Sequence, residues 1–432
     1  MSVATIPGPS PQRVLAVDVL RGLVLFFLLP DLAGGFSFYA LARAMPESPV
    51  WRALAAQFGH VEWTGVALWD LVMPLFVFLV GVSMALSYTR RRREDQSEAI
   101  LVTHAALRSV ALFALGMLLQ FKPQTRFDEL LPFLVLSTGL PVGRAWRRLV
   151  HAGRAAPTQG IEITYTLVVL VVAMLWMALH YQQLGHYEIG SQILALLGLA
   201  YLPAFLLQRA RVSTQALFIV ALLGLYELAF VLHGGGWNAQ LNLASAFDTW
   251  FFLLLPRGEP YHGNPHDYHS LLFVPLIAAI LFGALVGRLL AQQGPSRRLA
   301  LQFMGGALAG IALAGVMSLS VAPLLKSLWT PTWAVFSSSA CLLLLGLLML
   351  VFGTRARSPW AMPLVVLGTN SMLLYVLAFT QRWRIVTYWD RLFDALAWPS
   401  LPWWPLVQSC LVLATFWLLA LALYRAKVFI RL

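Results

Sequence analysis

The stretch HVEWTGVALWDLVMPLFVFLVG (60–81) sets a histidine, His60, just ahead of an apolar run and an aspartate, Asp70, inside it. Charge in hydrocarbon is costly, so an ionisable side chain there marks a candidate functional site. Histidine is the side chain best suited to moving protons near neutral pH. Chemically, His60 reads as a general base or an acyl carrier, with Asp70 orienting it or holding a structural partner. The plainer reading is an interfacial aromatic belt, including Glu62 and Trp63, beside a snorkelling histidine. Asp70 resists that reading, because an unpaired carboxylate about one turn into the span is expensive.

Other polar groups stand out against the apolar background. In RVLAVDVLRGL, Asp18 and Arg21 are three residues apart and share a helix face, with Arg13 just upstream. They form either an interfacial ion pair or a site for a phosphate-bearing cofactor, since arginine forks suit phosphate. The long segment 234–269 carries Asp248, His262, His266, Asp267 and His269. Its histidines lack a regular ligand spacing, so no metal is expected. A substrate-facing loop suits these acids and histidines better, with an amino sugar as acceptor. Lys326 and Trp329 in PLLKSLWTPTW, and Asn370 and Tyr375 in LGTNSMLLYV, are either site residues or a snorkelling lysine, a belt tryptophan and an interhelical asparagine. Gly305, Gly306 and Gly310 read as close helix packing.

The elements that must position these groups are membrane helices. Of 432 residues, 59% are hydrophobic and only 11% charged, which excludes an ordinary soluble domain. Apolar runs fall at 17–42, 66–89, 102–121, 128–144, 163–182, 189–208, 213–233, 270–291, 299–322, 329–353, 361–380 and 404–426. The fold expected is all-α, a polytopic membrane helix bundle of about twelve spans, or about eleven if the proline-containing 128–144 is re-entrant. Residues 1–432 make one domain. The net charge of +12 comes mostly from arginines at run ends, as in Arg90–Arg93, Arg209 and Arg211, and Arg297 and Arg298. Basic clusters on every second loop place both termini in the cytoplasm and His60 on the outer side. No polar domain carries the charge, so nucleic acid is excluded as a partner. Cys341 and Cys410 lie in apolar runs and read as packing residues.

These groups, in this order, resemble the heparan-α-glucosaminide N-acetyltransferase family and its bacterial relatives. An opening R-x-x-x-x-D-x-x-R-G-L pattern is matched by Arg13, Asp18, Arg21, Gly22 and Leu23. The H-x-x-W-x-G block is His60, Trp63 and Gly65, and D-L-x-x-P-x-F-x-F-x-x-G runs from Asp70 to Gly81. P-x-x-K-x-L-W and G-x-N-x-x-x-x-Y-V correspond to Pro323–Trp329 and Gly368–Val376. The family's mid-span asparagine is replaced here by Pro30–Asp31, and its D-P-E-G reads Asp267, Tyr268, His269, Ser270.

The resemblance implies a membrane enzyme that takes acetyl from cytosolic acetyl-CoA and delivers it to an amino sugar across the membrane. It makes His60 the catalytic histidine, with Asp70 and Asn370 beside it. Arg13, Asp18 and Arg21 would meet acetyl-CoA, and Trp63, Asp248, His266, Asp267, His269, Lys326, Trp329 and Tyr375 would line the path of the acceptor. The partners expected are this acyl donor, an amino-sugar or glycan acceptor and the lipid bilayer of a bacterial inner membrane, with a homodimer allowed for. Two alternatives stay open: a transporter or flippase for a sugar or glycan, using intramembrane Asp31, Asp70 and Glu227, and an inactive relative that has lost the family's glutamate.

Overall fold

A computed structural model of the chain describes residues 14–31, 35–94, 96–120, 126–138, 158–180, 192–254, 268–353 and 358–430. The described residues are helical, with no strand among them. The chain opens with α1 (Leu15–Leu28), followed by two short helices, α2 (Phe38–Ala44) and α3 (Pro49–Phe58). A 3₁₀ turn at Leu68–Leu71 leads into α4 (Val72–Arg93), and α5 (Glu98–Gln120), α6 (Arg126–Ser137) and α7 (Thr158–His180) follow. Next come α8 (Ile193–Leu207), α9 (Val212–His233), α10 (Leu243–Leu253), α11 (Phe273–Gln293) and α12 (Arg297–Ser320). The last part holds α13 (Pro331–Phe352), α14 (Met362–Thr369), α15 (Ser371–Asp394) and α16 (Trp404–Arg425).

Among the described residues, seven helices are long and apolar enough to cross a membrane, and α14 with α15, bent by 63° at Asn370, makes an eighth if the pair is one span. These fall on the apolar runs of the sequence. Of the remaining expected spans, 163–182 falls on α7, 23 residues long with its apolar part at Ile163–Leu179, 189–208 on α8 with 15 residues, and 128–144 starts on α6 with 12 residues. The run 17–42 is interrupted: α1 has 14 residues, about 21 Å at 1.5 Å per residue, short of a hydrocarbon core of about 30 Å. It stops at Pro30, whose freed carbonyl accepts two hydrogen bonds from the Arg382 guanidinium, at 3.0 and 2.7 Å. Arg382 also pairs with buried Asp31 at 3.6 Å, and the Ser37 hydroxyl donates to Asp31 at 2.8 Å. The residues after Pro30 are therefore a polar knot tied to α15 and α16 rather than more span.

Helix starts follow side-chain rules. Ser48, Asn242, Ser296 and Thr330 each accept a backbone N–H from the first turn of α3, α10, α12 and α13. Two of these caps precede proline at the first helical position, where a missing N–H costs nothing.

Small residues close the bundle. In α4 against α11, a side chain on Gly81 would run into the Ile280 carbonyl and one on Gly283 into the Phe78 carbonyl. Without Cβ atoms the two backbones touch, as membrane helices favour. Gly310 packs on Ser339 as expected, whereas Gly305 and Gly306 have no atom of the described chain within 4 Å of where a Cβ would sit. The largest core cluster gathers α4, α5, α8 and α11 with Trp329 and Trp333.

Candidate active site

Asp70 lies in the 3₁₀ turn that starts the α4 span, and its two oxygens do different work. Oδ2 reaches back to accept the N–H groups of Ala67 (3.2 Å) and Val61 (3.4 Å), fixing the loop that carries His60. Oδ1 faces His60 Nδ1 at 2.8 Å and accepts from the Lys326 ammonium at 3.0 Å. Lys326 Nζ is in turn 2.8 Å from His60 Nδ1, so three polar atoms form a closed triangle. Asp70 and Lys326 are 2% and 9% exposed at their side chains, while His60 is 42% exposed. A buried charge needs a partner, and here the pair supports a ring that still meets its surroundings.

Two loops are locked together to make this triangle. Gly65 has φ +127°, which L side chains rarely adopt, and its N–H donates to the Leu324 carbonyl at 3.1 Å. That explains the glycine of the His-x-x-Trp-x-Gly block: it lets the His60 loop clip onto the Lys326 loop. Trp63 Nε1–H donates to the Trp237 carbonyl at 3.1 Å, which ties in a third segment, between α9 and α10. Around Lys326, Thr330 Oγ1 donates to the Pro323 carbonyl (2.8 Å), and the Tyr226 hydroxyl donates to the Leu328 carbonyl (3.0 Å). Trp329, fully buried, is held in the left-handed region at φ +46°. A large residue keeps such a conformation only where its surroundings impose it.

A second histidine–aspartate pair sits in the same family of loops. Asp248 on α10 accepts the Ser270 N–H (3.1 Å) and lies 2.9 Å from His269 Nδ1, all three residues being buried. The pair joins α10 to the start of α11. The neighbouring Tyr268 presents its ring to Lys326 Nζ, 5.9 Å from the centroid.

The other end of α4 carries Arg90–Arg93. With 22 residues, α4 separates these arginines from Asp70 by about 33 Å, close to a hydrocarbon thickness. Between the two ends, Arg21 on α1 pairs with Asp18 at 3.2 Å and donates to Ser83 on α4 at 2.7 Å. Ser83 is 13 residues beyond Asp70 (83 − 70), about 20 Å along the helix.

Asn370 and Tyr375 lie where α14 breaks into α15. The Asn370 amide donates to the Val428 carbonyl (3.0 Å), and its oxygen accepts the Ile430 N–H (2.8 Å), so both sides of the amide grip the segment after α16. Tyr375 stacks on Phe76, with ring centroids 5.7 Å apart. Arg13, His266 and Asp267 lie outside the described residues.

Sequence reasoning set His60 and Asp70 in one group and Lys326 in another, and the fold brings the three together. Missed were Ser83, a small polar residue among apolar neighbours in α4, and the pairing of Asp248 with His269. Also missed were three donors without a hydrogen-bond partner among the described residues: Trp329 Nε1, Trp333 Nε1 and Ser337 Oγ. Trp333 and Ser337 are four apart and share one face of α13, the helix that leaves the Lys326 loop.

No family model matches the chain. Two curated proteins are similar to part of it. Heparan-alpha-glucosaminide N-acetyltransferase of Homo sapiens is 29% identical over 109 residues, which is 25% of this chain and 14% of that protein. Its counterpart in Mus musculus is 29% identical over 110 residues, 26% of this chain and again 14% of the relative. The chain thus aligns with about a seventh of the length of these relatives. Along about a quarter of its length, then, this multi-pass helical chain is similar to heparan-alpha-glucosaminide N-acetyltransferases, which supports at family level the resemblance drawn from its motifs.

Proposed function

We propose that the chain is an acetyl-CoA-dependent membrane acetyltransferase that modifies an amino sugar on the outer face of a bacterial inner membrane. The observation that carries the reading is the His60–Asp70–Lys326 triangle, built at the opposite end of α4 from a cluster of arginines. In this reading the termini are cytoplasmic and the shorter helices complete about twelve spans. Acetyl-CoA is a co-substrate. Its phosphates would meet the basic end, with Arg21, Asp18 and the upstream Arg13 nearby. The stretch of about 20 Å between Ser83 and Asp70 along α4 suits a long, extended acyl carrier. The unpartnered donors on Trp329, Trp333 and Ser337 offer hydrogen bonds to a polar chain threaded there.

At the outer end, His60 with Nδ1 turned to Asp70 has Nε2 as its reacting nitrogen. Acting as a base, it removes a proton from the acceptor amine as nitrogen attacks the thioester carbonyl. The C–N bond forms, the C–S bond breaks and CoA leaves as its thiol. Acting covalently, Nε2 takes the acetyl group first and passes it on. Trp63, Tyr268 and the Asp248–His269 loops would frame the acceptor side; His266 and Asp267, which the resemblance also assigns to the acceptor, lie outside the described residues. Asn370 would serve as an oxyanion donor only after releasing Val428, and Tyr375 and Trp329 would line the buried path.

The test is purified protein in nanodiscs with acetyl-CoA and glucosamine, with free CoA followed beside a His60→Ala control. CoA release by the wild type alone supports the reading, and equal release by both proteins removes His60 from it. A transporter would instead show gradient-coupled uptake and no CoA release with any acceptor. The Glu227 carboxylate, with Oε2 buried and unpartnered among the described residues, motivates that second reading.

A further inference from the structure

The triangle has a consequence for hydrogen placement. His60 Nδ1 has two neighbours at 2.8 Å, a carboxylate oxygen that only accepts and an ammonium that only donates. One nitrogen cannot satisfy both. If Nδ1 bears the proton, it donates to Asp70 and meets the Lys326 ammonium donor to donor. If Nδ1 is bare, it accepts from Lys326, Asp70 keeps its own bond from Lys326 at 3.0 Å, and the ring proton sits on Nε2. The second arrangement makes two charge-assisted bonds and leaves no donor facing a donor, although the histidine–carboxylate contact then carries no proton.

We propose that Lys326 is a positioning residue that sets the tautomer of His60. With its ammonium on Nδ1, the resting site shows Nε2–H to the substrate side, a donor and neither base nor nucleophile. When the ammonium leaves Nδ1, the ring turns into the other tautomer. Nε2 releases its proton to solvent, Nδ1 takes one up and donates it to Asp70, and Nε2 gains the lone pair that acyl transfer needs. The proton count of the cluster is the same before and after. The Tyr268 ring, 5.9 Å from Nζ, gives the departing ammonium an aromatic face to move toward. Substrate that draws Lys326 away would thereby arm His60, which keeps the exposed histidine unreactive toward acetyl-CoA when no acceptor is present. This inference rests on the acyltransferase reading for its purpose, though not for its geometry.

The test reads the ring directly. Diethyl pyrocarbonate acylates imidazole only at an unprotonated nitrogen, and its rate at the His60 peptide is followed by mass spectrometry in nanodiscs without any substrate. With Nδ1 shielded between two buried groups, modification reports a bare Nε2. Wild type should react slowly and Lys326→Met about tenfold faster or more, the factor carried by one charge-assisted hydrogen bond. Lys326→Arg, which keeps the donor, should stay near wild type. Should Lys326→Met not fold, the ring is read in the folded wild type by nitrogen-15 chemical shifts of labelled histidine, which should show a protonated Nε2 and a bare Nδ1 at His60. Equal rates in wild type and the methionine variant, a fast arginine variant, or a wild-type ring protonated at Nδ1, overturn the assignment. Because no acetyl-CoA is used, a failed transferase assay leaves this result standing, and failure here leaves the transferase assay standing.

Discussion

The Asp70–Lys326 pair makes a quantitative prediction. Asp70→Ala removes the acceptor of Lys326 and His60 and frees the N–H groups of Ala67 and Val61. The Lys326 ammonium, 9% exposed, is left as a buried unpaired charge. Breaking a buried pair from one side costs about 3–5 kcal/mol, and Lys326→Met should cost a comparable amount by stranding Asp70. In the double variant neither charge remains, so its loss should fall short of the sum by about 2 kcal/mol or more, far outside the additivity error of about 0.5 kcal/mol. The assay is unfolding of the four proteins in mixed micelles titrated with sodium dodecyl sulfate, followed by far-ultraviolet circular dichroism. A sum that holds within about 0.5 kcal/mol would show that the two groups do not depend on one another, and would refute the pairing argument.

Three further outcomes are expected. Gly81→Val should lower the unfolding midpoint strongly, since overpacking costs about 1–3 kcal/mol and the clash is with backbone, while Gly224→Ala, in open space, should be neutral or better; equal midpoints would count against the α4–α11 seam. Asn370→Ala should loosen the segment it grips and speed tryptic cleavage at Lys427 by about tenfold, the worth of the lost bonds; unchanged cleavage kinetics would mean that the grip does not hold the segment. Arg21→Gln should raise KM for acetyl-CoA with little change in kcat, as loss of uniform binding requires, and a kcat effect at constant KM would move Arg21 away from donor binding.

The sequence made some of this legible because polarity is rare in an apolar chain. Asp70 announced itself by standing inside an apolar run, His60 by standing at its edge, and the end-of-run arginines by clustering. Lys326 was visible only as a lysine beside a tryptophan, because its partner lies 256 residues away and pairing at such range leaves no spacing to read. Asn370 was visible as an intramembrane amide, but its partners are main-chain atoms, which no residue type signals. The end of α1 was hidden for another reason. Hydropathy runs on through Pro30, while helix geometry does not, and the knot of Asp31, Ser37, Arg382 and Ser409 that replaces it draws on three separate segments. The sequence pointed to Gly305, Gly306 and Gly310 for close packing, of which Gly310 alone meets a neighbour, while the tight seam at Gly81 and Gly283 went unread because isolated glycines do not say which backbone they face.

The glycine seam also has a mechanical side. Where backbones touch at Gly81 and Gly283, there are no side-chain rotamers to hop and no soft contact to slide across. α4 and α11 therefore behave as one stiff beam with the loops of the His60–Asp70–Lys326 triangle mounted on its end. The broken pair α14–α15, bent by 63° at a residue that grips a tail segment, is the compliant counterpart. Any cycle of opening in this bundle will flex at that joint, and His60, fixed to the beam, will be the point against which the motion is measured.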